Sequence, residues 1–144
     1  MPPDHVLLCC PSSTGDDRLL TEVTALCATR GARLSVVLPV VDAAVPRGCC
    51  GIQGDHWRRI IDQDARSALR RTARLLTSLG AHPEHVALEA GPSLPEVIEQ
   101  AATRWGCTIV AVAGKRRLWS VGLSRRQLKT LRRVGGRELV ELVS

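Results

Sequence analysis

Phenylalanine and tyrosine are absent from the sequence, methionine occurs once and tryptophan three times. A core therefore has to be assembled from Leu, Val, Ile and Ala around three indoles. Lysine is nearly absent too, with Lys115 and Lys129 set against many arginines. No run of 18 apolar residues occurs, which excludes a membrane-spanning helix, and the opening "MPPDHVLLCC" has no basic stretch ahead of its short apolar run, so no secretory signal is read there. No CxxC spacing appears among the six cysteines. Cys9, Cys10, Cys27 and Cys107 sit inside apolar runs, where free thiols pack as small hydrophobes, and a cytoplasmic location is expected. Catalytic constellations are lacking as well. His5, His56, His82 and His85 are scattered, there is no G-x-S-x-G or paired-acid spacing, and Ser12 and Ser13 have no base nearby in sequence, so the chain is not expected to be an enzyme.

What is present is a local excess of positive charge. Residues 1 to 112 hold 11 Lys/Arg against 12 Asp/Glu, while residues 113 to 144 hold 9 against 2, so the whole net charge of +6 comes from the C-terminal quarter. Within it, "AVAGKRRLWSVGLSRRQLKTLRRVGG" (111 to 136) contains no acid at all.

Hydropathy along the chain alternates between two kinds of segment. "HVLLCC" (5 to 10) is a continuously apolar run, as expected of a strand covered on both faces. Leu19, Leu20, Val23, Leu26 and Cys27 then recur at helical spacing up to Gly31, with Thr14 or Asp16 as cap. "RLSVVLPVV" (33 to 41) is a second strand, in which Pro39 suggests an edge or an early end to pairing. Residues 42 to 54 are expected to be a loop. A long amphipathic helix follows from Asp55 to Leu79, with Ile61, Ala65, Ala68, Leu69, Leu76 and Leu79 on one face and Arg66, Arg70 and Arg74 on another, ended by Gly80. "HVALEA" (85 to 90) is a third strand, residues 93 to 105 a helix capped by Ser93, and "CTIVAVAG" (107 to 114) a fourth strand. Residues 123 to 134 read as helix and 137 to 143 as a last strand.

Strands alternating with helices predict one α/β domain over residues 1 to 144, a doubly wound five-stranded parallel sheet of Rossmann-like character with helices on both faces and right-handed crossovers. In such sheets ligands bind beyond the carboxyl ends of the strands, where strand order reverses. That rule nominates the loop after the first strand (Pro11 to Gly15), the end of the second (Val40, Val41) and the loop after the fourth (Gly114 to Gly122).

"GPSLPEVIEQAATRWGCTIVAVAG" is similar to the pattern of the universal stress protein family, a Gly, a helix with Ile and Ala at fixed places, a short Gly turn and an apolar strand ending in Gly. "HVLLCCPSSTGDDRLLTEVTALCATRGARLSVVLPVV" resembles that family's first strand, helix and second strand in length and register, so the resemblance covers nearly the whole chain. ATP-binding members carry an acidic residue after the first strand and, after the fourth, G-x-x-G, nine residues, then G-S or G-T. This sequence departs from that pattern. Pro11 stands at the acidic position, Arg117 at the second glycine, and Gln127 and Leu128 ten places on; shortening the loop matches Gly122 and Ser124 to the last pair. Glycines in such a loop let backbone N–H groups turn toward phosphate without interference from a Cβ, and Arg117 narrows that cradle.

The resemblance implies a stress-response or regulatory module whose ligand is an adenine nucleotide such as ATP, or another phosphorylated anion. Ser12 and Ser13 would face ribose or phosphate, Val41 would lie beside the base, and Gly114, Lys115, Arg117, Gly122 and Ser124 would meet the phosphates. It also implies a homodimer paired through the last strand, an edge, with Leu139, Val140, Leu142 and Val143 supplying contact and Glu138 facing Arg137 or its copy. Two other readings remain: a ligand-free dimerisation module, and a non-specific nucleic-acid binder using the basic 115 to 133 segment. Arg125, Lys129, Arg132 and Arg133 fall along one helical side, but only Trp119 is there to stack on a base and no recognised nucleic-acid motif occurs, so a solvated face fits better. No metal is expected, because the adjacent Cys49 and Cys50 with Asp55 and His56 make a poor chelate; that vicinal pair is a candidate for oxidation instead.

Overall fold

A computed structural model describes residues 3–9, 17–41, 51–113, 129 and 137–142. They form β1 (His5–Cys9), α1 (Asp17–Arg30), β2 (Arg33–Val41), α2 (Gly51–Ser78), β3 (His85–Gly91), α3 (Leu94–Trp105), β4 (Ile109–Ala113) and β5 (Glu138–Leu142). The strands make one sheet in the order β3-β2-β1-β4-β5, and every pairing is parallel. The α/β parallel architecture read from the sequence is the one found.

The alternation of side chains along each strand sorts the apolar residues into two cores. On one face Val6, Leu8, Val36, Leu38, Ile109 and Ala111 pack against Leu19, Leu20 and Val23 of α1 and Ala65, Ala68, Leu69 and Leu76 of α2. On the other, Leu7, Cys9, Val37, Val110 and Val112 pack against Leu94, Ile98, Ala101 and Ala102 of α3. All five residues of β1 are buried, which explains the unbroken apolar run. Methyl and methylene groups of this kind contribute about 25 cal/mol per Å² removed from water, enough to dispense with aromatic rings in the core.

Glycines stop the helices where the sequence has them. Gly31, Gly80 and Gly106 follow α1, α2 and α3 with φ of +61°, +89° and +67°, a backbone region that L side chains rarely adopt. At the start of α3, Ser93 accepts a hydrogen bond from the Glu96 N–H, with Pro95 in the first turn.

Four expectations are corrected. Residues 51–54 are the first turn of α2, not loop: Gly51 and Gly54 each oppose helix by about 1 kcal/mol, but extending an already nucleated helix is easy. Leu79 lies past the last helical residue and is 43% exposed, while Thr72 joins the buried face at 2%. β2 is interior, between β3 and β1, and stays paired with β3 through Pro39 to Val41, so Pro39 marks neither an edge strand nor an early end to that pairing. Glu138 pairs with Arg30 of α1 at 2.6 and 2.8 Å, not with Arg137. Arg137 turns to the opposite face, where it donates to Glu99, to Thr103 Oγ1 and to the Cys107 carbonyl. The helix expected over 123 to 134 lies outside the described residues except Lys129, which is helical and exposed.

Candidate functional site

The sheet order reverses at β1. From there β2 and β3 step outward on one side, and β4 and β5 are laid down on the other. A parallel sheet that changes direction leaves a crevice beyond the carboxyl ends of the two strands at the reversal, here Cys9 of β1 and Ala113 of β4. The rim continues to Val41, the last residue of β2, which stands in register with Gly91 at the end of β3. Behind Gly91, α3 lies against the sheet so closely that a Cβ there would stand 2.6 Å from Val97 Cγ2. The N-terminus of α3, with its Ser93 cap, opens toward this same end.

Of the site residues expected from sequence, Val41 is the last residue of β2, at the carboxyl end of the sheet. Ser12, Ser13, Gly114, Lys115, Arg117, Gly122 and Ser124 lie outside the described residues, as do Cys49 and Cys50. For the expected dimer contact, β5 is an edge strand. Leu139 and Val140 are half-buried against opposite faces of their own sheet, Leu142 ends the strand and Val143 lies outside the described residues. Among the described residues no group of His, Cys, Asp and Glu is arranged to hold a metal, and no helix is long and apolar enough to cross a membrane.

The opposite, amino end of the sheet holds a polar cluster that the sequence reading left scattered. His5 Nε2 lies 2.7 Å from Ser35 Oγ, both residues being buried, and the His85 ring stacks on Trp105 of α3 at 5.1 Å and 9°. The signal was available: "HVLL" and "HVAL" both open on His, and parallel register carries the two toward one end of one face. This cluster is about 13 Å down β1 from Cys9, so it belongs to the support of α3 rather than to the crevice. Also at the amino end, on the α1 and α2 side, a cavity of about 270 Å³ is lined by Thr24, Cys27, Gly31, Arg33 and Glu84 among others, with Arg33 and Glu84 paired across it at 3.3 Å. Burial pushes the Cys27 thiol up, and the Cys107 thiol up to about 11, so these two buried thiols are packing groups, not nucleophiles; Cys9 is buried in the core on the α3 side.

No family model matches the sequence, and no curated protein matches it. Solved structures do. A protein of the universal stress protein family from Burkholderia pseudomallei superposes with a TM-score of 0.72 at 16% identity, covering 96% of this chain and 95% of that one. The universal stress protein of Archaeoglobus fulgidus, solved in complex with dAMP, superposes at 0.64 and 14% identity over 96% of both chains. A universal stress protein in complex with cAMP superposes at 0.62 and 15% identity, covering 98% of this chain and 95% of the other. At these identities the likeness is one of fold.

Proposed function

We propose that the chain is a regulatory, stress-response module built on the universal stress protein fold, which binds an adenine nucleotide or a similar phosphorylated anion in the crevice at the carboxyl ends of β1, β2 and β4. The observation that carries this reading is the reversal of strand order at β1. The segment following β4 begins at that crevice, and residues 114 to 136 hold eight Lys and Arg and no acid. Two proteins of the same fold are known with dAMP and with cAMP, which supports an adenine nucleotide as ligand class.

In this reading Ser12 and Ser13 meet ribose or phosphate, Val41 flanks the base, and Gly114, Lys115, Arg117, Gly122 and Ser124 meet phosphate. Arginine suits this role because its planar guanidinium gives two parallel N–H donors to phosphate oxygens. Charge thus replaces part of the backbone cradle that Arg117 and the shortened loop remove. Ligand binding orders the loops around the crevice and so changes the surface offered to a partner. The module is read as a cytoplasmic homodimer joined along β5, with no catalysis and no metal of its own.

Calorimetric titration with ATP and AMP, near physiological salt, tests this reading. Saturable heat that is lost in Arg117→Ala supports it. No heat from the unmodified protein with either nucleotide leaves the ligand-free dimerisation module, in which Arg117 or Trp119 would lie where a phosphate or base would sit.

A further inference from the structure

We propose that the outer face of α2 is a docking surface for the phosphate backbone of double-stranded nucleic acid, separate from the crevice and from the basic segment that follows β4. Arg66, Arg70 and Arg74 are exposed and spaced i, i+4, i+8, each step about 6 Å along the helix. Arg71 and Ser67 are exposed beside that row. Between Asp64 and Glu84 the chain has no acidic residue. Arg70, Arg71 and Arg74 have no carboxylate within ion-pairing distance among the described residues, and Arg66 holds only an exposed i, i+4 pair with Asp62 at 2.8 Å, which exchanges readily. The near-neutral total of residues 1 to 112 conceals this charge, because the acids of α2, Asp55, Asp62 and Asp64, all precede the arginine row and the other balancing acids lie on other elements.

The chemistry of the surface selects the partner. From Arg66 to Arg74 its exposed groups are guanidiniums and the Ser67 hydroxyl, side-chain types that contact phosphate, and the carboxylates of Asp62 and Asp64 lie only at the row's N-terminal end beside Gln63. A lipid surface would need an apolar face on this helix, but Ala65, Ala68, Leu69 and Leu76 are already buried in the protein's own core. An acidic protein partner would be expected to meet apolar or aromatic anchors at the centre of the patch, and the side chains described between Arg66 and Arg74 on this face offer none. With no ring described there to stack on bases, a duplex backbone fits better than a single strand.

The test is fluorescence anisotropy of a short labelled DNA duplex of mixed sequence, titrated with the full chain over a range of salt. Four phosphate contacts predict a slope of log K against log salt of about −3.6, a fall in affinity of about 100-fold between 50 and 200 mM. The pair Arg70→Gln, Arg74→Gln should weaken binding at low salt and lower the slope by about 2. Both residues are exposed, so an unchanged circular dichroism spectrum and melting curve are expected of the variant. The companion variant Lys115→Gln, Arg116→Gln should leave the loss in slope much smaller. Absence of duplex binding at low salt overturns the proposal. So does binding that the α2 pair leaves unchanged while the Lys115, Arg116 pair abolishes it. Neither result bears on nucleotide binding in the crevice, which is read separately by calorimetry.

Discussion

His5 Nε2 lies 2.7 Å from Ser35 Oγ at the amino ends of β1 and β2, and the other ring nitrogen, Nδ1, is buried with no hydrogen-bond partner among the described residues. A protonated ring in that position would need a second acceptor, and the group nearest to the purpose is the Trp105 carbonyl at the end of α3. Burial lowers the His5 pKa from its ordinary 6.5, and the neighbouring Arg33 and His85 lower it further, while Glu84 and that carbonyl oppose them.

The sign of the pH dependence follows. The folded state holds His5 neutral to lower pH than the unfolded chain does, so between the two pKa values the unfolded chain binds more protons. The stability contributed by a neutral His5 is complete above about pH 6.5 and is lost as pH falls below it toward the folded value. Urea midpoints measured at stepped pH should decline through this window, and His5→Asn should flatten the decline while lowering stability throughout. A profile as steep in the variant as in the parent would assign the effect to other groups.

Gly91 and Val97 set how closely α3 approaches the sheet beside the crevice. Gly91→Ala places a Cβ at 2.6 Å from Val97 Cγ2, which forces a shift of helix or strand. The expected loss is about 1–3 kcal/mol of unfolding free energy, the range for overpacked positions. Val97→Ala removes the clashing carbon, so the double variant should be more stable than the sum of the single changes, a coupling that denaturant melts resolve.

β5 is fastened on both faces of the sheet, by Arg137 immediately before it and by Glu138, its first residue. Arg137, largely buried, ties the strand to Glu99 and Thr103 of α3, and Glu138 ties it to Arg30 of α1. Arg137→Ala takes the charged partner from Glu99, leaving it the Thr103 hydroxyl, and removes the donor to the Cys107 carbonyl, and should lower stability by about 1–3 kcal/mol. Arg30→Ala acts on a pair exposed at both ends, 36% and 48%, and should change little beyond its salt dependence. Equal losses from the two would contradict the assignment of Arg137 as the main fastening.

Ser93→Ala tests the start of α3. Its hydroxyl accepts from the Glu96 N–H, and removing it should cost about 0.5–2 kcal/mol, whereas Ser93→Asp should retain the cap. Thermal melts of the two variants give the comparison.

Most of the architecture was legible in the sequence because its signals are local. Unbroken apolar runs marked β1 and β4, the glycines after α1, α2 and α3 marked their ends, and Ser93 marked a start. The misreadings came from tertiary context. Pro39 reads as an edge residue or an early end to pairing, yet it sits in an interior strand that stays paired with β3 through Val41. Glu138 next to Arg137 suggests a pair, but neighbours on a strand point to opposite faces, and each found a partner on a different helix. The candidate site was legible as a place, through the reversal at β1, and much less as chemistry. A glycine-poor, arginine-rich loop departs from the pattern that would name its ligand, and net charge by segment did not reveal the arginine row along α2.

The most direct test of the central claim is amide hydrogen exchange with and without ATP, read residue by residue. The account predicts slower exchange on binding at the carboxyl ends of the strands, around Cys9, Val41, Gly91 and Ala113, and unchanged exchange at the amino ends around His5, Arg33 and Thr108. Protection that appears at the amino ends, or nowhere while ATP is bound, would contradict a nucleotide crevice at the reversal of the sheet.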